Sequence, residues 1–191
     1  MTKIDDSAFA SDANLKEITY PSKVVTVASN SFSSCTGITK VTFSAGMTAV
    51  PANACYGLMG LTTVEYQKDA NGKVAVESIG NSAFRGCKSL TSVSISETVT
   101  ELGTYVYYDC TNLTEITLPS GLVKIGNNAF QNCSLLKKIE LPDGLASIAN
   151  NAFDGCKSLT DIRLPDKIKT IGTNAFVHFQ EVCISRLSLE S

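Results

Sequence analysis

The sequence contains few of the residues on which most catalytic and nucleic-acid-binding sites depend. Tryptophan is absent, histidine occurs only at His178, and arginine occurs only at Arg85, Arg163 and Arg186. Lysine and arginine together number 16 against 18 acidic residues, which leaves a net charge of −2 and no basic stripe that would neutralise phosphates. We therefore expect no nucleic-acid partner.

Motifs for enzymatic chemistry are also missing. The chain has no G-x-x-x-x-G-K-[ST] or G-x-G-x-x-G segment for nucleotides, and no C-x-x-C pair for metal or redox chemistry. The single histidine lies beside Phe176 and Phe179, where a packing or surface role is the simpler interpretation. The sequence thus predicts no enzyme, no cofactor and no metal site.

Long hydrophobic segments are absent as well. No apolar run approaches the ~20 residues that a membrane-spanning helix needs, so we expect no membrane insertion. Because the first repeat begins at Ile4, we expect no signal peptide in this chain. The compartment stays open, since the chain is then either cytosolic or the trimmed form of an exported protein.

The sequence instead repeats one pattern eight times. The equivalent anchor positions are Phe9, Phe32, Cys55, Phe84, Tyr107, Phe130, Phe153 and Phe176, and six of the seven intervals are 23 residues while that from Cys55 to Phe84 is 29. A fixed period of this size indicates a solenoid in which each repeat is one rung of a coil. We therefore predict a single domain, 1–191, with rungs 4–26, 27–49, 50–78, 79–101, 102–124, 125–147, 148–170 and 171–191.

Each rung contains a candidate strand and a candidate turn side. Leu136, Ile139 and Leu141 follow the pattern L-x-x-I-x-L, whose last part alternates as a strand with one buried face should. The opposite side repeats at spacings of three, which suits a short α or 3₁₀ turn. We interpret the residues two before the anchor as N-caps and the glycines four before it as tight bends. These are Ser7, Asn30, Asn53, Ser82, Asn128, Asn151 and Asn174, and Gly80, Gly103, Gly126 and Gly172.

Five of the seven cysteines occupy one column of the repeat. Cys35, Cys87, Cys110, Cys133 and Cys156 lie three residues after the anchor, where rungs three and eight have Leu58 and Phe179. An apolar inward position favours buried free thiols. Disulfides between adjacent rungs remain the alternative, since neighbouring rungs of a parallel sheet are only ~5 Å apart.

The segment 125–145 reads I-G-x-N-A-F-x-x-C-x-x-L-x-x-I-x-L-P-x-x-L, and this pattern resembles the 23-residue leucine-rich repeat of the BspA-like family. The resemblance covers 4–191 and is poorest in rung three, where Pro51, Cys55 and Leu58 replace glycine, the aromatic residue and cysteine. It implies a horseshoe-shaped solenoid. For many relatives it also implies surface or secreted proteins that adhere to host or extracellular-matrix proteins.

The fold expected from these observations is an α/β-type repeat solenoid. It is a right-handed leucine-rich-repeat horseshoe with a concave parallel β-sheet and short helical or 3₁₀ turns on the convex side. The ends are less regular, and Phe179, Val182 and Ile184 are candidates for a makeshift cap on the last rung. The first rung has no visible cap, so we also consider end-to-end self-association.

Two surfaces and one insertion are candidates for binding a protein. The concave face presents hydroxyl and charged residues that change from rung to rung, namely Glu65, Ser92, Ser94, Glu115, Thr117, Lys138, Glu140, Asp161 and Arg163. The convex alternative is a cluster of Tyr56, Arg85, Tyr105 and Tyr108, in which arginine can stack on tyrosine rings. The insertion in rung three, 67–73, contains Asn-Gly and predicts a protruding hairpin.

These observations predict a non-enzymatic protein-binding or adhesion module whose ligand lies on the concave face. An intracellular protein-interaction scaffold is the alternative.

Overall fold

The structure, a computed structural model, describes residues 1–177 and 183–184 of the 191-residue chain, which form a parallel β-solenoid of about seven turns. Each rung contributes one strand to a main sheet and one to a second sheet, and every described strand pair is parallel. The main-sheet strands are β2 (Glu17–Tyr20), β4 (Lys40–Phe43), β6 (Thr63–Tyr66), β8 (Ser92–Ser94), β10 (Glu115–Thr117), β12 (Lys138–Ile139), β14 (Asp161–Ile162) and β16 (Cys183–Ile184). The second-sheet strands are β1 (Lys3–Ile4), β3 (Thr26–Val27), β5 (Ala49–Val50), β7 (Ser78–Ile79), β9 (Glu101–Leu102), β11 (Lys124–Ile125), β13 (Ser147–Ile148) and β15 (Thr170–Ile171).

The main sheet follows the predicted alternation. In β10, Ile116 is buried between the exposed residues Glu115 and Thr117. The strands stack in register, so that Glu115 pairs with Ser92 on one side and with Lys138 on the other. The sheet is hydrogen-bonded in three blocks, β2-β4-β6, β8-β10-β12 and β14-β16, and the insertion in rung three lies at the interruption between β6 and β8.

The insertion 67–73 lies at that interruption and is not the predicted hairpin. The Asp69 carboxylate accepts hydrogen bonds from the backbone N–H groups of Asn71 and Lys73, at 2.9 Å each, and closes a compact exposed turn. Residues 74–76 form no strand that pairs with β6. The Asn-Gly pair therefore correctly predicted a turn. No paired strands flank this turn, and the Asp69 side chain stabilises it instead.

The second sheet was not predicted, and it divides at Pro51. Its strands are ordered β15-β13-β11-β9-β7-β5, while β1 and β3 form a separate pair. In later rungs the residue after the strand donates to the preceding rung, as Gly80 N–H does to the Val50 carbonyl at 2.9 Å and Gly126 N–H does to the Leu102 carbonyl at 3.0 Å. Proline has no N–H to donate at this position, which explains why β3 and β5 are not joined.

The turn side contains no α-helix or 3₁₀-helix within residues 1–177, so the predicted helical turns are not confirmed. Alternate N–H groups instead reach the next rung. Tyr107 donates to the Ala129 carbonyl and Phe130 donates to the Ala152 carbonyl, both at 2.8 Å. A helix requires those same N–H groups for bonds within its own chain, and the ladder between rungs excludes it.

Six of the seven residues interpreted as N-caps have a different role. Asn128, Asn151 and Asn174 have φ of 56°, 54° and 57°, and Ser7, Asn53 and Ser82 share this left-handed conformation, whereas an N-cap residue is extended. Asn30 does not adopt it, while Tyr105 does so at this position in rung five. Asparagine is favoured because its short polar side chain tolerates this region. The glycine column also differs from expectation. A Cβ on Gly126 would lie 2.6 Å from the Gly103 carbonyl oxygen, so close approach of the rungs rather than a bend requires glycine there.

The core contains two columns of stacked aromatic rings. In the anchor column Phe9 stacks on Phe32 at 5.2 Å, Cys55 interrupts the column, and Phe84, Tyr107, Phe130 and Phe153 stack with ring centroids 5.2–5.5 Å apart. In the main-sheet column Tyr20, Phe43 and Tyr66 stack at 5.4 and 5.5 Å. Edge contacts of 6.4 Å between Tyr20 and Phe32 and 6.2 Å between Phe43 and Phe84 connect the two stacks.

The cysteine column consists of free, buried thiols, as predicted. Each thiol donates to the carbonyl of the anchor residue one rung earlier, as Cys133 does to Tyr107 at 3.1 Å and Cys156 does to Phe130 at 3.1 Å. Burial raises the pKa of Cys110 to about 12 and that of Cys156 to about 12, so both remain protonated thiols at neutral pH. Cysteine therefore fills an apolar position and also supplies a weak donor.

Several predictions fall outside the described residues. His178, Phe179 and Val182 are not described, and Ile184 lies on β16 without a described side chain, so the predicted cap remains a prediction. Within the described part of the chain, no helix is long and apolar enough to cross a membrane.

Candidate protein-binding surfaces

The first candidate surface is the predicted concave side. We call it the sheet face and define it as the outward-facing residues of the main sheet. Its members lie on strands β6 to β14 or directly follow β12 and β14. Glu65, Ser92, Ser94, Glu115, Thr117, Lys138, Glu140 and Arg163 are all exposed there. Asp161 lies on β14, and its side chain is outside the described part of the structure. Since the strands stack in register, these residues form continuous columns across the rungs.

Two adjoining recesses cross this face. One of about 280 Å³ is lined by Glu115, Ile116, Thr117, Leu118, Lys138 and Glu140. The other, of about 630 Å³, is lined by Lys137, Lys138, Ile139, Glu140, Leu141, Asp143, Arg163 and Pro165. Because they share Lys138 and Glu140, they form one open groove, which we call the sheet groove. Five of the nine residues predicted from the sequence line it.

The charges in the sheet groove pair within a rung. Lys138 Nζ lies 2.6 Å from Glu140 Oε1, and both side chains are highly exposed. The hydrogen bond to Glu140 raises the pKa of Lys138, while the same contact lowers the pKa of Glu140. Glu140 therefore pairs within its own rung and not with Arg163 in the next. Arg163 makes no ion pair with any described residue.

At the other end of the sheet face, Glu65 is already engaged. Its carboxylate lies 2.9 Å from Lys40 Nζ, a pair that joins adjacent rungs. The hydrogen bond with Glu65 raises the pKa of Lys40. Exposed pairs of this kind contribute little stability, yet they reduce the free charge that β4 and β6 present. The C-terminal half of the sheet face is therefore the more open to a charged partner.

The second candidate surface lies on the turn side, where the predicted convex cluster is assembled. Arg85 Cζ lies 5.5 Å from the ring centroid of Tyr56, 5.2 Å from that of Tyr105 and 4.8 Å from that of Tyr108. Tyr105 and Tyr108 contact each other edge to face at 5.4 Å. Register alone brings these side chains together, since Tyr56, Arg85 and Tyr108 each follow the anchor of successive rungs.

A recess that the sequence did not reveal adjoins this cluster. We call this recess, which has a volume of about 260 Å³, the Arg85 groove. It is lined by Tyr56, Gly57, Met59, Arg85, Gly86, Lys88, Tyr108 and Asp109. Lys88 Nζ lies 3.6 Å from the Asp109 carboxylate, and Met59 is 50% exposed. The only available signal was the pair of glycines two residues after the anchor.

The same column has a different role in the later rungs. Gln131 donates a hydrogen bond to Asp154 at 2.7 Å and accepts one from Asn128 at 2.5 Å. These polar contacts connect rungs six and seven. Within the described residues, no cluster of three or more His, Cys, Asp or Glu side chains could hold a metal ion.

The solved structures similar to this chain include three bacterial proteins. A leucine-rich repeat protein of T. pallidum is 27% identical, with a TM-score of 0.73, over 85% of this chain and 75% of that one. A leucine-rich cell surface protein of Faecalibacterium prausnitzii is 28% identical, with a TM-score of 0.73, over 88% of this chain and 47% of that one. A leucine-rich repeat protein of Bacteroides ovatus is 27% identical, with a TM-score of 0.62, over 97% of this chain and 40% of that one.

The chain thus spans less than half the length of two of these proteins. No curated protein matches it. None of these similarities indicates an enzyme family, and proteins of this repeat class are generally protein-interaction modules. The family model described as the BspA type leucine-rich repeat region matches residues 2–73 and 70–183 in six copies, and the chain belongs to that family.

Proposed function

We propose that this chain is a non-enzymatic adhesion module that binds a host or extracellular-matrix protein on its sheet face. The observation that carries the proposal is the sheet groove, in which exposed charges from three successive rungs line one open recess. The partner is held by polar contacts from Glu115, Thr117, Lys138, Glu140 and Arg163. Ser92, Ser94 and Asp161 extend the same columns, and the turn at 67–73 lies at the rim beside Glu65.

A protein ligand fits this surface better than a small molecule. Small-molecule sites are concave, largely apolar and close around their ligand, whereas the sheet groove is open and has charged side chains along its length. Its residues repeat at the spacing of the rungs, so that a partner with an extended surface meets several at once. Such contacts are individually weak and add up only over a large interface.

Two further observations support display outside the cell. The F. prausnitzii relative is described as a cell surface protein, and the chain belongs to the same repeat family as the adhesion proteins that its pattern resembles. An intracellular scaffold that uses the same sheet face is the alternative. Free thiols are typical of reducing compartments, yet burial shields these thiols from oxidants in either compartment.

The test uses a film of basement-membrane extract as the immobilised probe. We expect saturable binding of the wild-type chain that weakens several-fold as salt rises from ~50 to ~500 mM, because exposed charges are screened within ~8 Å at physiological ionic strength. The variants Lys138→Glu and Arg163→Glu should bind less, and Lys124→Glu on the exposed side of the second sheet is the matched control. Absence of saturable binding, or equal loss in the control, contradicts the proposal.

A further inference from the structure

The Arg85 groove combines an unneutralised cation, aromatic rings and an apolar side chain. The guanidinium of Arg85 forms no ion pair or hydrogen bond with the described residues, and its contacts there are with the faces of three tyrosines. Stacking occupies the flat faces of a guanidinium but leaves the N–H groups at its edge free to bind a carboxylate through two parallel hydrogen bonds. The nearby carboxylate of Asp109 is paired with Lys88 at 3.6 Å. The groove therefore has an excess positive charge located on Arg85.

The walls and floor of the groove suit an apolar side chain next to that charge. Met59 is 50% exposed and lines the groove together with Tyr56 and Tyr108. The floor is glycine backbone, with Gly57 at φ +72° and Gly86 at φ +73°. A Cβ on Gly57 would meet no atom within 4 Å, so the space above it is open.

Backbone conformation alone does not require glycine at positions 57 and 86. At the same position of the repeat, Ser11, Ser34, Asp109 and Asn132 adopt φ of 61–64° and retain their side chains, while rung seven has a further glycine, Gly155, at φ 76°. Rungs three and four are adjacent rungs that both lack a side chain at the place where one would project into the groove. This choice keeps a recess of about 260 Å³ open beside Arg85, which is smaller than a typical drug-sized pocket and holds one or two amino-acid side chains.

We propose that the Arg85 groove is a second docking site, which binds a peptide segment carrying an aromatic side chain next to a carboxylate. The aromatic side chain lies between Met59, Tyr56 and Tyr108 over the glycine floor, and the carboxylate binds the free edge of Arg85. Arginine and tyrosine are the residues most enriched at the energetic centres of protein interfaces. The site is on a different side of each rung from the sheet groove and does not depend on the proposed function.

The alternative is that the cluster only stiffens the boundary between rungs three and four, where the main sheet is interrupted. The two roles separate experimentally. A stiffening role predicts a lower melting temperature for Arg85→Gln and no binding by the wild-type protein. Docking predicts binding by the wild-type protein that depends on the carboxylate of the peptide.

The experiment uses the full chain labelled with ¹³C-methyl methionine, which gives three signals. Met59 lies in the groove and reports binding, Met47 is 2% exposed and reports global change, and Met1 is 69% exposed and reports non-specific contact. The probe is N-acetyl-Phe-Glu-amide, and the neutral isostere N-acetyl-Phe-Gln-amide is its control. We expect a saturable shift of the Met59 methyl alone, with a Kd of about 1–10 mM, as is reasonable for a fragment of this size.

The Gln peptide should bind about fivefold to tenfold more weakly, since charge-assisted hydrogen bonds are roughly twice as strong as neutral ones. In Arg85→Gln this preference should vanish, in Arg85→Lys it should be reduced, and in Arg163→Gln it should remain. The proposal is overturned if the Met59 signal does not saturate, if both peptides bind equally, or if Arg163→Gln removes the preference. A melting curve of each variant confirms that the fold is intact.

Discussion

Rungs one to three and rungs four to seven share one sequence period but differ in how many columns of aromatic rings their core contains. The first three carry Tyr20, Phe43 and Tyr66 in the main-sheet column, and rungs one and two also carry the stacked pair Phe9 and Phe32 in the anchor column. In the later four the core rings occupy the anchor column alone, namely Phe84, Tyr107, Phe130 and Phe153. The repeat therefore fixes apolar positions in both columns, while the ring content of each column varies between rungs.

The hydrogen-bond ladders of the two regions are interrupted at different rungs. Between rungs two and three the second sheet stops at Pro51, but the main sheet continues through β4 and β6. Between rungs three and four the main sheet stops at the insertion, but the second sheet continues through β5 and β7. Because the interruptions are staggered, each boundary keeps one continuous ladder. We infer that the two regions unfold as one cooperative unit.

The largest effect is expected from removing a ring in the uniform region. Phe130 is fully buried and stacks on both Tyr107 and Phe153. Phe130→Ala should therefore lower the free energy of unfolding by about 3–5 kcal/mol, through lost burial and a residual cavity. Phe9→Ala is the matched control at the first rung, where the ring is 41% exposed, and it should have a much smaller effect. Urea denaturation measures both, and equal losses would contradict this account of the core.

Two buried tyrosines, one from each region, differ in whether their hydroxyl group has a hydrogen-bond partner. Tyr20 Oη donates to the Ala54 carbonyl at 2.5 Å, across the boundary that Pro51 weakens. Tyr107 Oη is buried and has no hydrogen-bond partner in the described structure. Tyr20→Phe should cost about 1–3 kcal/mol, since it leaves a buried carbonyl without this donor. Tyr107→Phe should be neutral or stabilising, because it removes an unsatisfied buried polar group.

Chemical denaturation of the two variants measures this difference directly. Loss of stability in Tyr107→Phe that equals the loss in Tyr20→Phe would show that the hydroxyl of Tyr107 has a partner.

The uniform rungs were the part of the fold that the sequence predicted well. The pattern around Phe130, Ile139 and Cys133 yields the main strands and the buried thiols, because each position recurs in several rungs and ambiguity in one rung is resolved by the others. The second sheet was missed because its strands are two residues long, too short for an alternation to be recognised. Asn128 was misread because asparagine is favoured both at N-caps and in the left-handed region.

Alkaline pH should destabilise the protein through its buried thiols. A cysteine thiol in water has an ordinary pKa of about 9.0, whereas burial raises the pKa of Cys110 to about 12. Above pH 9 the unfolded chain therefore loses this proton while the folded chain keeps it, and stability falls as pH rises toward 12. The slope is at most about 1.4 kcal/mol per pH unit for each such thiol.

The variant Cys110→Ala isolates one thiol from this behaviour. Between about pH 9 and pH 10.5 its free energy of unfolding should decline less steeply than that of the wild-type protein, by up to about that single-thiol slope. Urea denaturation at several pH values gives both slopes. Parallel slopes would mean that the Cys110 thiol ionises as readily in the folded state as in the unfolded chain.

The candidate site was predictable only in part. Strand register placed Glu115, Lys138 and Arg163 on one face, because alternation decides which side chains point outward. Ion pairs were not predictable, since Glu140 is equally placed to pair with Lys138 in its own rung or with Arg163 in the next. The Arg85 groove was not predictable from the sequence. It depends on the absence of side chains at Gly57 and Gly86, but a glycine at a position of positive φ is ordinarily explained by its backbone conformation alone.

The smallest effect on stability is expected from charge reversal in the sheet groove. Lys138→Glu and Arg163→Glu alter exposed side chains that contribute little to folding, so each should change the free energy of unfolding by less than about 0.5 kcal/mol. The same variants should still weaken binding to the matrix film. A large loss of stability would show that these side chains maintain the main sheet rather than serve a ligand.

Hydrogen exchange of individual amides tests most directly whether the staggered ladders make one cooperative solenoid. Across rungs two and three the reporters are Thr63 N–H, bonded to Thr39 at 3.0 Å, and Gln67 N–H, bonded to Phe43 at 2.9 Å. Across rungs three and four they are Cys55 N–H and Gly57 N–H, which bond to Ala83 and Arg85 at 2.6 and 2.8 Å. All four should be protected to within about tenfold of Phe130 N–H, since amides in one cooperative unit open together. Exchange of either pair more than about 100-fold faster than that of Phe130 would show that the solenoid opens at that boundary, and would contradict the account.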